Sequence, residues 1–187
     1  MDLQNHPWAR DGVRVPKSEL DKIDVWACEA YARGVERDGA PEGEEACGAL
    51  EGPAPSAGDP LLADRATSIA NLANRYHEMD PEEYPRTGRT YFLIDPLKFS
   101  KQIRAGEESG RPLKVLWHSH LDCGAYFSDT DAQTALAGGD EPSYDLAFLV
   151  VSVRGDGRGG GAHVDERRLF VWSATERKFV EAMLDVV

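Results

Sequence analysis

The 187-residue sequence lacks several features, and each absence narrows the class of protein. It has no run of roughly 18 apolar residues, so no segment is predicted to span a bilayer. Three cysteines are too few and too scattered for a disulfide framework, and their odd number fits a reducing compartment. With 21 Lys and Arg against 33 Asp and Glu, the chain lacks the basic excess that nucleic-acid phosphates attract. We therefore expect no membrane and no nucleic-acid partner.

The first twelve residues also have little apolar character. Residues 1–12 are polar and contain none of the apolar stretch that a signal peptide requires. We therefore expect a cytoplasmic protein with a flexible terminus over 1–12 and a single domain over 13–187. A chain of this length can bury roughly 70% of its unfolded surface. Its 41% apolar and 29% charged residues are ordinary for a globular fold.

Apolar periodicity predicts strands and helices that alternate irregularly along the chain. Ser18 is the predicted N-cap of a first helix, and Asp95 caps a second helix that starts at Pro96. One predicted helix begins at 18, and two more cover 96–108 and 128–137. The predicted strands cover 13–15, 46–50, 66–72, 89–94, 114–120, 146–153, 169–172 and the alternating segment 179–187. Residues 74–90 are expected to form a long loop, and the glycine-rich 157–161 a hairpin connection. The predicted fold class is α/β, a mixed sheet flanked by helices.

The most informative residues are His118 and His120. Two histidines two residues apart on a strand point the same way, because successive side chains alternate faces. Asp131 follows eleven residues after His120, beyond a loop, and could close a three-ligand site. Two imidazoles and one carboxylate suit Zn²⁺, and three protein ligands leave a fourth position for water. The spacing therefore predicts a hydrolytic rather than a structural zinc site.

Hydrolysis at such a site needs further groups. Zinc lowers the pKa of bound water from about 15.7 toward roughly 7 and polarises a carbonyl oxygen. A carboxylate that is not a metal ligand usually moves the proton, and a hydrogen-bond donor stabilises the developing oxyanion. Ser128, one helical turn before Asp131, is placed to supply that donor. It is also expected to cap the helix that begins there, since Ser-x-x-Asp is a capping pattern.

Together these residues resemble a known family. His118-Ser-His120, seven residues, Ser128, two residues and Asp131 have the spacing of the JAMM motif of the MPN+ metallopeptidases. In small bacterial members a glutamate lies three residues before a glycine, within Glu-x-Cys-Gly-x-Leu-x-Gly. Here Glu45-Ala-Cys-Gly-Ala-Leu-Glu-Gly matches that context, whereas the neighbouring glutamates do not. The resemblance covers essentially the whole chain after the expected flexible terminus.

The resemblance implies a fold, a chemistry and a substrate class. The fold is a three-layer α/β arrangement similar to MPN and cytidine-deaminase domains. Members are zinc peptidases or isopeptidases that cut after the C-terminal glycine of ubiquitin-like proteins, and bacterial substrates resemble sulfur carriers. By position, His118, His120 and Asp131 would bind one zinc ion, Glu45 would move the proton and Ser128 would steady the oxyanion. The implied partners are a β-grasp protein with a Gly-Gly-type C-terminus and an E1-like activating enzyme.

Simpler interpretations of individual residues stay open. Glu45 alone would be one surface carboxylate among several, and only its glycine context selects it. Cys47 is expected to be a small core residue. Cys123, three residues after His120, is an incidental loop thiol, a redox-sensitive group or a fourth ligand that displaces the water. The remaining histidines lack ligand spacing and are expected to be exposed: His6, His77 and His163.

Three rival functions start from the same residues. A RadC-like relative would act in DNA biology, but such proteins carry His-Asn-His-Pro-Ser-Gly where this chain has His118-Ser-His-Leu-Asp-Cys. Its acidic charge also disfavours DNA. A catalytically silent MPN scaffold would only hold partners, although such scaffolds usually lose ligands that this chain keeps. A cysteine hydrolase using Cys123 and His120 would need a histidine that the zinc pattern already uses.

Overall fold

The computed structural model describes residues 6–156 and 161–187. These residues form the strands β1 (Gly12–Val15), β2 (Glu36–Arg37), β3 (Ala40–Pro41), β4 (Cys47–Glu51), β5 (Arg65–Ile69), β6 (Leu113–Leu121), β7 (Ala147–Gly155), β8 (Ala162–Ser173) and β9 (Lys178–Val186). The helices are α1 (Lys17–Tyr31), α2 (Ala73–Met79), α3 (Pro96–Glu108) and α4 (Asp129–Leu136). Seven strands make one mixed sheet in the order β1-β9-β8-β7-β6-β4-β5, and β2 pairs with β3 alone.

The central strands of this sheet separate two cores, because successive side chains point to opposite faces. On one face Val115 and Trp117 of β6 join an apolar cluster that includes the buried residues of α1. On the other face Leu116 and Phe148 pack with Phe99 of α3, and α4 covers the same cluster. We call these the α1 face and the α4 face. The sheet thus lies between helix layers, which confirms the predicted mixed α/β architecture.

The sheet curls around α1 until its two edges nearly meet. The outer edge of β1 pairs with the chain just before β5: Arg14 N donates to Leu61 O at 2.9 Å, and Ala63 N donates to Arg14 O at 2.8 Å. Because β5 is the opposite edge of the sheet, this segment joins the two edges. The backbone groups of β1 are thereby paired rather than exposed, and α1 lies inside the curl.

A bulge near the start of β6 determines which side chains reach each face. Leu113 pairs with Glu51 but Val115 pairs with Leu50, so Lys114 is an extra residue in the ladder. Its buried ammonium donates to the carbonyls of Pro60 and Leu62, at 2.8 Å each. Burial lowers the pKa of Lys114 to about 8. From Val115 onward, odd-numbered residues of β6 face α1 and even-numbered residues face α4.

Two local predictions are wrong. Helix α1 begins at Lys17 with Pro16 at its N-cap, so Ser18 lies within the first turn instead of capping it. Residues 89–94 do not form a strand, because the side chain of Asn71 takes the place of a neighbouring strand. Its amide donates to Tyr91 O and accepts from Leu93 N, at 3.0 Å each.

Other segments are more ordered than expected. Helix α2 occupies part of the predicted loop 74–90. Within the predicted terminus, Pro7–Ala9 is a 3-10 helix whose Trp8 is only 1% exposed. The indole of Trp8 donates to Asp145 O at 3.0 Å. The expected hairpin connection falls mostly on 157–160, outside the described residues. Within the described ranges, no helix combines the length and apolarity needed to cross a membrane.

Candidate metal centre

The two motif histidines lie on the α4 face of β6, as alternation predicts. His118 is 0% exposed and His120 is 5% exposed. Strand β6 is held between β4 and β7, where His118 pairs in register with Cys47 and with Val150. Hydrogen bonding on both sides fixes the strand, so the two imidazoles project side by side from a rigid support.

Helix α4 supplies the third group from its first turn. Ser128 is the N-cap, as predicted, and its Oγ accepts from Asp131 N at 3.1 Å. In return Asp131 Oδ2 accepts from Ser128 N at 2.8 Å and from the Ser128 hydroxyl at 2.6 Å. Burial acts to raise the pKa of Asp131, but His118, His120 and Ser128 together lower it well below its usual range. The capping box therefore holds an ionised carboxylate beside the imidazoles.

The three side chains converge at distances that suit a tetrahedral metal ion. His118 Nε2 lies 3.1 Å from His120 Nε2 and 3.2 Å from Asp131 Oδ1. His120 Nε2 lies 3.4 Å from Asp131 Oδ2. Tetrahedral zinc with Zn–N bonds of about 2.0–2.1 Å needs ligand atoms about 3.3–3.4 Å apart. The donor set fits the predicted zinc, the distances from His118 Nε2 are close to this spacing, and the group could hold a metal ion.

The outer nitrogens of the two rings have different surroundings. His120 Nδ1 lies 3.1 Å from Gly124 O, which fixes the tautomer that leaves Nε2 free as a ligand. His118 Nδ1 is buried and has no hydrogen-bond partner among the described residues. Its ring instead stacks on Phe92, with centroids 4.6 Å apart. Packing orients one imidazole and a hydrogen bond orients the other.

Glu45 lies immediately before β4 and is fixed through its backbone. Its N–H donates to Gly88 O at 2.7 Å, and its carbonyl accepts from the amide of Asn71 at 2.9 Å. The next residue, Ala46, donates to Ser119 Oγ at 2.8 Å, and Ser119 N donates back to Ala46 O at 2.9 Å. Ser119 lies between the two histidines, so the register of Glu45 is tied directly to theirs.

The side chain of Glu45 is 7% exposed and shares a cavity of about 270 Å³ with His120, Ser128 and Asp131. Burial raises the pKa of Glu45 well above its ordinary value, and the nearby charge of Asp131 raises it further. The guanidinium of Arg86 acts in the opposite direction but is outweighed. A carboxyl whose pKa is moved toward neutrality is suited to both accepting and donating a proton.

Ser128 has a constraint that the sequence does not reveal. A hydroxyl has one proton, and that of Ser128 is donated to Asp131 in this structure. To donate to an oxyanion, the hydroxyl must turn away from Asp131. The Asp131 carboxylate would then still accept a hydrogen bond from Ser128 N.

Cys123 lines the same cavity but is outside the group of converging ligand atoms. Burial raises the pKa of its thiol, which disfavours the reactive thiolate.

Several residues of the cavity were missed from the sequence: Arg86, Arg89, Thr90 and Tyr126. The ring of Tyr126 contacts His120 edge-on, with centroids 5.0 Å apart. Its place in the seven-residue loop of the motif could have indicated it. The arginines belong to a predicted loop without periodicity, and no spacing pattern identifies them. Cys47 is buried and His6 and His163 are exposed, as expected. The expectation for His77 is wrong, because this residue is half-buried and its Nδ1 lies 2.8 Å from Tyr84 O.

The geometry defines a mixed α/β domain with a buried His-x-His and Asp centre and a glutamate in the same cleft. Residues 29–169 match the family described as prokaryotic homologs of the JAB domain, and the chain belongs to this family. The resemblance to small bacterial JAB/MPN proteins is therefore confirmed. Because the match ends inside 13–187, the outer limits of the domain stay a prediction.

Several solved structures are similar to this chain. A protein from Desulfitobacterium hafniense has a TM-score of 0.57 at 18% identity, over 94% of this chain and 92% of that one. A protein from Salinibacter ruber has a TM-score of 0.54 with the same identity and coverage. A JAB1/MPN domain protein from Archaeoglobus fulgidus has a TM-score of 0.47 at 14% identity, over 94% and 99%. No curated protein matches the sequence significantly.

Proposed function

We propose that the chain is a zinc-dependent peptidase or isopeptidase that cleaves after the C-terminal glycine of a ubiquitin-like or sulfur-carrier protein. The observation that carries this proposal is the shared cleft. Glu45, from the chain before β4, reaches the cavity that His120, Ser128 and Asp131 line. A scaffold without catalysis would have no need for a buried carboxyl beside a complete ligand set, because burying it costs stability.

The proposed roles follow from the positions of the side chains. His118, His120 and Asp131 would hold the ion, which supplies a Lewis acid and lowers the pKa of water in the cleft. Glu45 takes a proton from the attacking water and passes it to the leaving amine. Ser128 turns its hydroxyl toward the oxyanion that develops on the scissile carbonyl. Gly124 O keeps His120 in the required tautomer throughout.

The shape around the cleft supports a substrate with an extended, glycine-ended tail. A neighbouring groove of about 420 Å³ shares Arg86 and Thr130 with the cleft, so a chain in the groove could continue into it. Three tyrosines line that groove: Tyr76, Tyr84 and Tyr91. Beside buried catalytic groups, glycine allows the closest approach because it has no Cβ. Main-chain hydrogen bonds to such a tail would provide affinity.

The substrate would be a precursor, fusion or conjugate of a β-grasp protein with a Gly-Gly-type C-terminus. An E1-like activating enzyme would act in the same pathway, because conjugation requires prior activation of that C-terminus. Both proteins would meet this chain in the cytoplasm, where reduced Cys28, Cys47 and Cys123 are compatible with function.

The test is cleavage of ubiquitin-like proteins fused through Gly-Gly to a reporter, with and without a chelator. Glu45→Gln should keep one zinc per chain but lose on the order of 1,000-fold in kcat, because the proton has no shuttle. Glu44→Gln is the matched control. Its carboxylate points to Arg33 and Asn74 instead, at 3.2 and 3.0 Å, and it should retain activity within a few-fold.

The outcomes separate the alternatives. Chelator-sensitive cleavage that Glu45→Gln abolishes supports the proposal. Retained cleavage by Glu45→Gln removes Glu45 as the shuttle, and chelator-insensitive cleavage would favour a cysteine hydrolase. Purified protein that takes up no zinc and cleaves no fusion would favour a scaffold.

A further inference from the structure

Three segments of the chain meet at the rim of the cleft. The Glu45 segment is 42–45, the Arg89 segment is 86–90, and the His120 loop is 120–124. The first two are joined by the hydrogen bond from Glu45 N to Gly88 O, at 2.7 Å. The position of Glu45 therefore depends on where the Arg89 segment lies.

The guanidinium of Arg89 connects all three segments. Its Nη1 donates to Glu42 O at 2.8 Å, and its Nη2 donates to Asp122 Oδ2 at 2.6 Å. The guanidinium also lies over the ring of Tyr31, 5.8 Å from the centroid. One side chain thus bonds the Glu45 segment to the His120 loop, next to the bond between Glu45 and Gly88.

The carboxylate of Asp122 is held from several directions. The Tyr31 hydroxyl donates to it at 2.8 Å, and Gly155 N donates at 3.1 Å. Its own backbone is fixed as well, since its N–H donates to Val153 O at 2.8 Å and its carbonyl accepts from Arg154 at 2.6 Å. Asp122 is therefore fixed against β7, and Arg89 attaches the Glu45 segment to it.

Two backbone features show how closely the segments fit. Gly43 has φ +84°, and a Cβ there would lie 3.0 Å from Arg89 Nη1 and 3.1 Å from Leu121 Cδ1. Asp122 has φ +58°, a region where Gly or Asn is at least as comfortable as Asp. Backbone conformation therefore does not explain an aspartate at 122, but the charge that pairs with Arg89 does.

We propose that Arg89 and Asp122 are positioning residues, and that their ion pair holds Glu45 at its working distance from the metal ligands. This role rests on the proposed function of Glu45 as the proton shuttle. Other bonds also hold this region. Asn71 and Ser119 hold the Glu45 carbonyl and the residue after it, and on the N-terminal side Glu44 N donates to Ala30 O at 3.1 Å. The Arg89 and Asp122 pair adds the link between the segment before Glu45 and the His120 loop.

Asp122→Asn tests the pair with little disturbance, because Asn tolerates the positive φ and can still accept from Tyr31 and Gly155. In the zinc-loaded protein we expect kcat to fall between about 10- and 100-fold, with KM and zinc content within two-fold of wild type. Amide hydrogen exchange at Glu45 should become at least about 10-fold faster, since its bond to Gly88 loosens. Exchange at the central strand residue Val150 should not change.

Two further variants complete the design. Arg89→Gln should reproduce both effects, and the double variant should be no worse than the poorer single one, because the residues act as a unit. Arg89→Gln alone provides the test if Asp122→Asn does not fold. Asp185→Asn is the matched control. Asp185 lies on β9, and its Oδ2 forms a partly exposed ion pair with Arg14 Nε at 3.1 Å, which this substitution breaks. It should leave exchange at Glu45 and kcat unchanged.

Exchange at Glu45 within two-fold of wild type overturns the proposal, as does faster exchange with unchanged kcat in an active enzyme. If the wild-type protein cleaves no fusion, the proposed function has failed instead. Amide exchange at Glu45 then decides alone whether the ion pair positions this residue.

Discussion

The two faces of the central sheet are built on the same strands but differ in composition and packing. The α1 face is mostly aliphatic, with residues such as Ile23, Val115 and Leu149 fully buried. The α4 face holds aromatic side chains, two buried histidines and a cavity of about 260 Å³ that Phe92, Phe148 and others line. The difference indicates that close packing on the α1 face stabilises the fold, while the α4 face accommodates buried charged groups and a cavity.

Removing a metal ligand should have the largest effect, and it should be confined to the α4 face. His118→Ala should reduce bound zinc from one per chain to near zero and lower activity on the order of 1,000-fold or more, because the centre acts as a unit. Metal analysis and the fusion assay measure both quantities. His163→Ala, at an exposed position of β8, is the control and should change neither. Zinc retained by His118→Ala would refute this assignment of the ligands.

Shortening one leucine on each face should reveal the difference in packing. Leu149→Ala removes a fully buried side chain from the α1 face and should cost about 3–5 kcal/mol. Leu116→Ala enlarges the cavity that Leu116 already lines, so fewer contacts are lost and about 2–3 kcal/mol is expected. Denaturant unfolding of both variants gives the comparison. Equal losses would mean that the α4 face is packed as tightly as the α1 face.

Enlarging one alanine on each face is the complementary experiment. Both sites are helical, and Ala and Leu have similar helix propensities, so packing dominates the result. Ala27→Leu overfills the α1 face and should destabilise by about 1–3 kcal/mol. Ala135 lines the cavity, so the added side chain in Ala135→Leu can fill it. This variant should leave the free energy of unfolding unchanged or raise it by up to about 1 kcal/mol. A comparable loss at Ala135 would show that the cavity cannot accept added volume.

The last comparison concerns the buried carboxyl of the α4 face and depends on pH. In metal-free protein the pKa of Glu45 is raised by burial, whereas in the unfolded chain it returns to about 4.5. Wild type therefore loses stability as the pH rises from 4.5 toward the folded-state pKa, because only the unfolded chain releases the proton. Glu45→Gln has no such loss, so its stability relative to wild type should increase steadily as the pH rises from 5 to 8.

Thermal unfolding between pH 5 and pH 8 would measure this difference, with the exposed Glu82→Gln as control. A stability difference that does not grow with pH across this range would show that Glu45 is not buried as described.

Local patterns were sufficient for much of the fold and for the placement of the candidate ligands. Alternation along β6 indicates that His118 and His120 point the same way, and the Ser-x-x-Asp pattern indicates the cap of α4. These features depend on neighbours within a few residues, which the sequence displays directly. The continuous apolar run from 146 indicates a central strand for the same reason.

The remaining features depend on partners that are distant in sequence. Residues 89–94 have strand composition, but Asn71 satisfies their backbone in place of a strand. Trp8 is buried by Asp145 and its neighbours, far along the chain. The pairing of Arg89 with Asp122 likewise leaves no periodic signal, because both residues lie in irregular segments. Such contacts arise from the folded arrangement rather than from local propensity.

Asp131 belongs at once to the cap of α4 and to the group of ligands. Binding of a metal ion and formation of the first turn of α4 would therefore be coupled, since the same carboxylate must be oriented for both. Chelation would then leave a helix start that unwinds more easily, and cations that demand a different angle of this carboxylate would have to disturb the cap. A metal ion held by this group would therefore be selected through the cost of fraying a helix as well as through ligand chemistry.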